Sequence, residues 1–142
     1  MRFVDAAPDI AWAQLRALAV EAATRSYAPY SHVSVGAGAL CSNGQLVSGS
    51  NIENASYGLT LCAECSLVSD LVRLEGGRLV AVSIVAGDGL PIAPCGRCRQ
   101  LLFEHGGNDL LLDAGDDQSP RRLGELLPDA FGSNDLGTRR NR

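Results

Sequence analysis

Four of the five cysteines in this sequence stand in two Cys-x-x-Cys pairs, Cys62/Cys65 and Cys95/Cys98. This spacing is typical of zinc ligands, because residues three apart in the first turn of a helix lie on one face. Glu64 lies inside the first pair. A structural zinc site needs no carboxylate beside its ligands, whereas a hydrolytic site needs one to move protons. The pattern therefore favours a catalytic zinc centre.

The number of cysteine ligands separates two kinds of zinc site. If all four cysteines bind, the site is closed and structural; if three bind, one coordination position stays open. Spacing alone favours the closed site. Glu64 favours the open one, and so does Pro94, which makes the second motif Pro-Cys-x-x-Cys, as in zinc nucleobase deaminases. The length of 142 residues also allows a core that needs no zinc to hold it together.

Composition limits the class of protein. We expect one globular domain over residues 1–132 and a flexible C-terminal tail over residues 133–142, since 46% of the residues are apolar. The net charge of −4 argues against a nucleic-acid partner. No apolar run reaches the roughly 18 residues of a membrane span, and the N-terminus lacks the apolar core of a secretion signal. We therefore expect a cytoplasmic protein with reduced cysteines.

Apolar periodicity and turn residues predict alternating helices and strands, with Asn43-Gly44 as a hairpin turn. In the second half of the chain this alternation indicates parallel strands with helices on both faces. Asp9 is expected to cap the first helix. The predicted helices are Asp9 to about Arg25, Cys62 to about Glu75, Cys95–His105 and one or two turns in Arg122–Phe131, and the predicted strands are Val33–Cys41, Gln45–Ser50, Leu79–Ala86 and Asp109–Asp113.

Further motifs lie on either side of the cysteine pairs. Three such motifs are the block Ala28–Ser31 with Val35–Ala37, the loop Asn51–Asn54, and Glu125–Phe131. With the two cysteine motifs, Cys62-Ala63-Glu64 and Pro94–Gln100, they make five blocks. In this order the blocks resemble the cytidine deaminase family, specifically its small, homotetrameric branch. The resemblance covers nearly the whole chain.

The resemblance implies an α/β fold of three layers, α/β/α, around a mixed five-stranded sheet. It implies one zinc ion per subunit, held by Cys62, Cys95 and Cys98. The implied reaction is the hydrolytic deamination of cytidine and deoxycytidine to uridine and deoxyuridine, with release of ammonia, in pyrimidine salvage. Glu64 would carry the protons on both legs of this reaction.

The resemblance also implies how a free nucleoside binds. Asn51 and Glu53 would form hydrogen bonds with the ribose 3′-hydroxyl. Apart from the resemblance, helix-start amides near Ala63 and Cys95, and carbonyls around Pro94, could bind the polar edge of the base. Active sites in this branch are shared between subunits of a homotetramer. Phe131 would stack on the pyrimidine bound by a neighbour, and Tyr57 would lie near a neighbouring sugar.

The sequence departs from the family pattern at two positions. An arginine that offsets the thiolate charge usually follows the Cys-Ala-Glu glutamate, but here this position is Cys65, which we expect to be a buried, inert thiol. Arg97 or Arg99, together with two helix N-termini, could supply the missing positive charge. Val33 stands where the family commonly has an aromatic residue, which weakens one apolar wall of the pyrimidine site.

Three alternatives remain open at this point. A blasticidin-type deaminase has a similar second zinc motif, although the loop Asn51–Asn54 favours an ordinary ribose. A four-cysteine zinc-ribbon module would have no chemistry and four sulfurs around its zinc. A deaminase of tRNA or single-stranded nucleic acid usually has a histidine in place of Cys62 and a more basic surface.

Overall fold

The computed structural model describes residues 9–137, which form five helices and five strands. A single turn of 3-10 helix, Tyr57–Leu59, precedes the first cysteine pair. The helices are α1 (Trp12–Ala23), α2 (Ala63–Arg73), α3 (Gly96–Gly106), α4 (Leu123–Leu126) and α5 (Ser133–Gly137), and the strands are β1 (Val35–Cys41), β2 (Leu46–Ser50), β3 (Leu79–Ala86), β4 (Leu111–Leu112) and β5 (Arg121–Arg122).

The strands form one mixed sheet in the order β2-β1-β3-β4-β5. Strand β1 is antiparallel to both of its neighbours, β3 and β4 are parallel, and β5 is antiparallel to β4. Gly44 has the positive φ of 87° that the β1–β2 hairpin requires. The mixed five-stranded sheet is confirmed, and so is a parallel pair joined through a helix, α3, in the second half of the chain.

Glycines let the helices approach the sheet closely from both faces. A Cβ on Gly36 in β1 would lie 1.8 Å from the main-chain oxygen of Ala19 in α1. On the opposite face, a Cβ on Gly49 in β2 would lie 2.4 Å from the main-chain oxygen of Ala63 at the start of α2. The three-layer α/β/α arrangement therefore depends on these small residues, which leave room for helix backbones.

The main core lies between the sheet and the pair α2 and α3. Leu67 and Leu71 of α2, Leu102 of α3 and Leu123 of α4 are all buried there. Cys41 belongs to the same cluster, as expected of a small core residue. This packing fixes the first turns of α2 and α3 side by side, and those turns carry the two cysteine pairs.

Some element boundaries differ from the sequence prediction. Asp9 does not cap α1: the cap residue is Ala11, and no side chain satisfies the free N–H groups there. Strand β4 has two residues rather than the predicted five. Strand β5, Arg121–Arg122, was not predicted from the sequence. Of the predicted flexible tail, Ser133–Gly137 is a short helix and residues 138–142 lie outside the described part, so its flexibility stays a prediction.

Across residues 9–137, every helix falls short of the length and apolar character needed to cross a membrane.

Candidate active site

Three cysteine thiols converge where α2 and α3 begin. Cys62 is the cap residue of α2, Cys95 is the cap residue of α3, and Cys98 follows one turn later. Their Sγ atoms lie within 4.8 Å of one another, with Cys62 and Cys95 4.0 Å apart. Sulfurs held about 2.3 Å from a tetrahedral zinc lie about 3.8 Å from each other. Within residues 9–137 this is the one group of its kind, and its spacing fits a zinc ion.

The environment of the thiols also fits a cation. Burial, together with the nearby Glu64 carboxylate, raises the pKa of the Cys98 thiol well above its usual range. Burial likewise raises the pKa of Cys62, while the Cys98 main-chain N–H, donating to Cys95 Sγ, lowers that of Cys95. Three thiolates packed beside a carboxylate would repel one another without a compensating charge. A bound divalent ion removes that cost, and thiolate ligands select zinc among the common ones.

Glu64 lies in the first turn of α2, beside the thiols. Its side chain is buried, and this burial raises the pKa of its carboxyl group above the usual range. A carboxyl group whose pKa is raised by burial is more easily protonated than an exposed one, which suits a group that takes up and releases a proton. Ala63, which is also buried, begins the same helix, where the first N–H groups have no partners within the helix.

Cys65 is not part of the thiol group, so the structure brings together three of the four paired cysteines. It is half-buried rather than buried, contrary to the sequence prediction. Arg97 lies against it: Nη2 is 3.7 Å from Cys65 Sγ, and Nη1 donates to the Thr60 main-chain oxygen at 3.4 Å. The guanidinium group of Arg97 thus lies beside Cys65, the position at which the family usually has an arginine and this sequence does not.

A cavity of about 240 Å³ lies beside the segment that precedes Cys62 in the sequence. It is lined by Tyr30, Ser31, Glu53, Tyr57 and Thr60. Glu53 Oε1 accepts hydrogen bonds from the main-chain N–H groups of Tyr30 and Ser31, at 2.9 and 3.1 Å. Hydrogen bonds from Ser31 lower the pKa of Glu53 below its usual range. The carboxylate is thus ionised and fixed, with Oε2 left as an acceptor.

Asn51 is buried beneath the same region and fixes the backbone that enters β1. Its Oδ1 accepts from the Val35 main-chain N–H at 2.8 Å, and its Nδ2 donates to the Val33 oxygen at 2.9 Å. A carboxamide has two N–H donors, so one donor of Asn51 is still free for a ligand. The Val33 side chain, where an aromatic residue was expected, is about half exposed.

Phe131 and Tyr57 are largely exposed, at 56% and 74% of their surface. Tyr57 makes an edge-to-face contact with Tyr30, with ring centroids 5.8 Å apart. They belong to a set of exposed apolar side chains on the loops and termini of the chain. Others in this set are Tyr27, Val33, Ile52, Leu59 and Leu61.

Sequence reasoning did not single out Tyr30, Ser31 and Thr60 as site residues. The block Ala28–Ser31 is the available signal, because it belongs to the five blocks that carry the family resemblance. The shape of the cavity depends on the hydrogen bonds that Glu53 accepts from residues more than twenty positions away in the sequence. A single sequence carries no sign of such a pairing.

The model of the family described as the cytidine and deoxycytidylate deaminase zinc-binding region matches residues 12–112. The chain belongs to this deaminase family. A curated relative from Mycobacterium tuberculosis, a cytidine deaminase, is 56% identical over 129 residues, which cover 91% of this chain and 96% of the relative. A cytidine deaminase from Halalkalibacterium halodurans is 41% identical over 122 residues, covering 83% of this chain and 92% of that protein.

Solved structures of the deaminase family share the fold. The crystal structure of cytidine deaminase from Mycobacterium tuberculosis is 56% identical, with a TM-score of 0.83, and the match covers 87% of this chain and 99% of that one. The crystal structure of cytidine deaminase from Mycobacterium leprae is 50% identical, with a TM-score of 0.81, covering 85% and 100%. The predicted family and fold are therefore confirmed.

Proposed function

We propose that the chain is a zinc-dependent hydrolase that deaminates cytidine and deoxycytidine to uridine and deoxyuridine, with release of ammonia, in pyrimidine salvage. The observation that carries this function is the group of three thiols, Cys62, Cys95 and Cys98, beside the buried carboxyl group of Glu64. Membership of the deaminase family supports the same reaction.

Cys62, Cys95 and Cys98 would hold the zinc ion, one per subunit. Bound there, zinc supplies the Lewis-acid chemistry that makes water a nucleophile at neutral pH. Glu64 accepts a proton from the attacking water and delivers it to N3 of the pyrimidine, which makes C4 electrophilic. The hydroxide left by the water adds to C4. Glu64 then takes the proton of the new C4 hydroxyl and passes it to the amino group, so the C4–N bond breaks as the C4 carbonyl forms, and ammonia leaves. A buried carboxyl group with a raised pKa suits both transfers.

The nucleoside would bind between the metal group and the cavity lined by Tyr30 and Glu53. Glu53 would accept a hydrogen bond from the ribose 3′-hydroxyl through Oε2, and Asn51 would use its free N–H on the same hydroxyl. The main-chain amide of Ala63 would bind the polar edge of the base. An ionised, preorganised carboxylate favours a hydroxyl over a phosphate, so a free nucleoside is the substrate class.

We also propose a cytoplasmic homotetramer with shared active sites. Phe131 of one subunit would stack on the pyrimidine held by another, and Tyr57 would lie near a neighbouring sugar. The large exposed fractions of both aromatic side chains support this, because exposed aromatic residues are enriched at protein interfaces.

Arg97 and Arg99 are proposed to offset the negative charge of the three thiolates. Arg97 lies against Cys65, next to Glu64, and Arg99 donates to the oxygen of Pro94, the residue before Cys95. We expect Arg97→Met to weaken zinc retention against a chelator, and Arg97→Lys to preserve it. If neither arginine, replaced by alanine, changed zinc content or turnover, this role would be wrong.

An ultraviolet assay of purified protein on cytidine, with zinc quantified in the same sample, tests the proposed function. We expect turnover that falls as a chelator removes zinc and returns when zinc is added. A sample that binds zinc but leaves cytidine unchanged would contradict it. Running blasticidin as a second substrate separates an ordinary nucleoside deaminase, which leaves it unchanged, from an antibiotic-modifying one.

A further inference from the structure

Helix α3 holds more than the metal ligands. Cys95 and Cys98 occupy its cap and first turn, and the next two residues, Arg99 and Gln100, donate hydrogen bonds to main-chain oxygens outside the helix. These oxygens belong to the loop before Cys95 and to residues 126–132, here called the C-terminal segment. The same short stretch of α3 thus contacts both the metal loop and this segment.

Arg99 bridges two parts of the chain with one guanidinium group. Its Nε donates to the Pro94 oxygen at 2.9 Å, and its Nη1 donates to the Leu126 oxygen at 3.0 Å. Pro94 is buried and precedes the ligand Cys95, while Leu126 ends α4. A planar guanidinium has donors in a fixed fork, so the two oxygens are held at a set distance.

Gln100 fixes the segment closer to its end. Its Nε2 donates to the Phe131 main-chain oxygen at 2.8 Å. Residues 127–132 contain no helix or strand, so few other bonds define their course. Gly132 then passes so close to α3 that a Cβ there would lie 2.8 Å from the ring of Phe103. The backbone of Phe131 is therefore fixed on α3, while its side chain extends into solvent with 56% of its surface exposed.

We propose that Arg99 and Gln100 are positioning residues that place the Phe131 ring at a fixed offset from the metal ligands of the same subunit. Gln100 acts through the main chain of Phe131, and Arg99 acts by joining the metal loop to the C-terminal segment. The nucleoside-binding role of Phe131 rests on the proposed function. A preorganised aromatic side chain binds its partner at a lower entropic cost than a mobile one, so the effect appears mainly in KM.

Gln100→Met tests the first contact, because methionine keeps the length of the side chain and removes the donor. We expect the KM for cytidine to rise about three- to tenfold, as the loss of one neutral hydrogen bond predicts, with kcat and zinc content changed less than about twofold. Hydrogen exchange in residues 127–132 should become faster in the zinc-loaded protein. Gln14→Met, on the exposed surface of α1, is the matched control.

A double-mutant cycle with Phe131→Ala shows whether Gln100 acts through the ring. If it does, Gln100→Met adds no further rise in KM once Phe131 is alanine. An unchanged KM in Gln100→Met alone, or an equal rise in both backgrounds, would overturn the proposal. A wild-type protein with no cytidine turnover would refute the proposed function instead, while hydrogen exchange would still report on the contact.

Arg99→Lys separates the bridge from simple charge. Lysine keeps the positive charge but lacks the fork that holds two oxygens. We expect Arg99→Ala to raise both the KM for cytidine and the rate of hydrogen exchange in the C-terminal segment. Arg99→Lys should show most of both increases. If Arg99→Lys had wild-type kinetics and hydrogen exchange, Arg99 would contribute only its charge. The proposal that Arg99 positions the C-terminal segment by joining it to the metal loop would then be wrong.

Discussion

At the scale of single residues, the chemistry depends on which cysteine is left out of the thiol group. Cys62 and Cys65 are three positions apart, yet only Cys62 joins Cys95 and Cys98 among the described residues. Cys62 caps α2 from an extended conformation, whereas Cys65 lies inside the first turn of the helix. With three thiols grouped and the fourth apart, a zinc ion bound there would keep the open coordination position that a hydrolytic site needs.

The two cysteines of the first pair should therefore respond differently to substitution. We expect Cys62→Ser to lose zinc and turnover, because a ligand is removed, and Cys65→Ser to keep zinc close to one equivalent. Zinc quantification after dialysis against a mild chelator measures both. Equal loss of zinc in the two variants would favour the four-sulfur site.

Glu64→Gln should keep zinc and the fold but lose at least about 100-fold in kcat, since the amide cannot carry protons. Steady-state kinetics on cytidine, with zinc content and thermal unfolding measured beside them, test this. Glu104→Gln, on the exposed surface of α3, is the control and should stay near wild type. A Glu64→Gln variant with wild-type turnover would remove Glu64 from the mechanism.

At the scale of elements, the sheet sets where the active helices begin. Gly49 in β2 lets the first turn of α2 descend onto the sheet, with the Leu67 main-chain nitrogen 2.4 Å from where a Cβ would be. On the other face, Arg16 of α1 pairs with Asp113, which follows β4 and also accepts from Ser83 of β3. Close packing and one buried ion pair thus join the helices to the strands.

Gly49→Ala should therefore displace the start of α2. We expect it to cost about 1–3 kcal/mol of unfolding free energy, as overpacking of a tight interior does, and to lower turnover as well. Chemical denaturation and cytidine kinetics measure the two effects. Gly137→Ala, where a Cβ would meet no atom within 4 Å, is the control and should change neither. An unaffected Gly49→Ala would show that α2 can shift freely.

The ion pair of Asp113 should make stability depend on acid pH. Burial opposes ionisation, but the Arg16, Ser83 and Gly115 hydrogen bonds outweigh it and hold the pKa of Asp113 below its usual range. A lowered folded pKa adds stability above the unfolded value of about 3.9, and this stability is lost as pH falls through the folded pKa.

Asp113→Asn should cost about 1.5–3 kcal/mol near neutral pH, because Arg16, which is partly exposed, and Ser83 then donate to a neutral group instead of a carboxylate. The difference from wild type should shrink below about pH 4, where Asp113 itself becomes protonated. Unfolding free energies measured across this range test the sign. Asp116→Asn removes the exposed partner of Arg16 and should cost less than about 1 kcal/mol. A difference that grew in acid would contradict the assignment.

At the scale of the whole molecule, a single chain leaves the aromatic side chains of Phe131 and Tyr57 exposed. Within residues 9–137, the exposed ring of Tyr57 contacts one other aromatic ring, that of Tyr30, and the exposed ring of Phe131 contacts none. If another subunit completes each site, activity belongs to the assembly rather than to the chain.

Subunit mixing tests shared sites directly. At a cytidine concentration well below the KM of Phe131→Ala, we expect Phe131→Ala to turn over slowly and Glu64→Gln to be nearly inactive, and their mixture to recover part of the wild-type activity. In mixed assemblies an intact Glu64 can meet an intact Phe131 from its neighbour. Phe131→Ala mixed with the Glu64→Gln/Phe131→Ala double variant is the control and should show no gain. Activity equal to the sum of the parts, in a mixture shown to exchange subunits, would refute sharing.

The sequence by itself predicted which thiols lie together, the carboxyl group beside them and the layered fold. Short-range patterns suffice to place Cys62, Glu64, Cys95 and Cys98 at two helix starts. The choice of three cysteines and the three-layer fold came from the order of the five blocks, which resembles that of a family. It also predicted α2, β3 and α3 to within about two residues, since apolar periodicity is strong there.

Tertiary structure alone decided contacts between residues distant in sequence. It placed Arg97 on Cys65, anchored Phe131 to Gln100 and occupied Asn51 with the backbone of β1. It also added β5, whose two arginines form a strand only because β4 offers them a partner. Such pairings depend on how the chain closes on itself, and a polar or charged side chain carries no local sign of the partner it will meet.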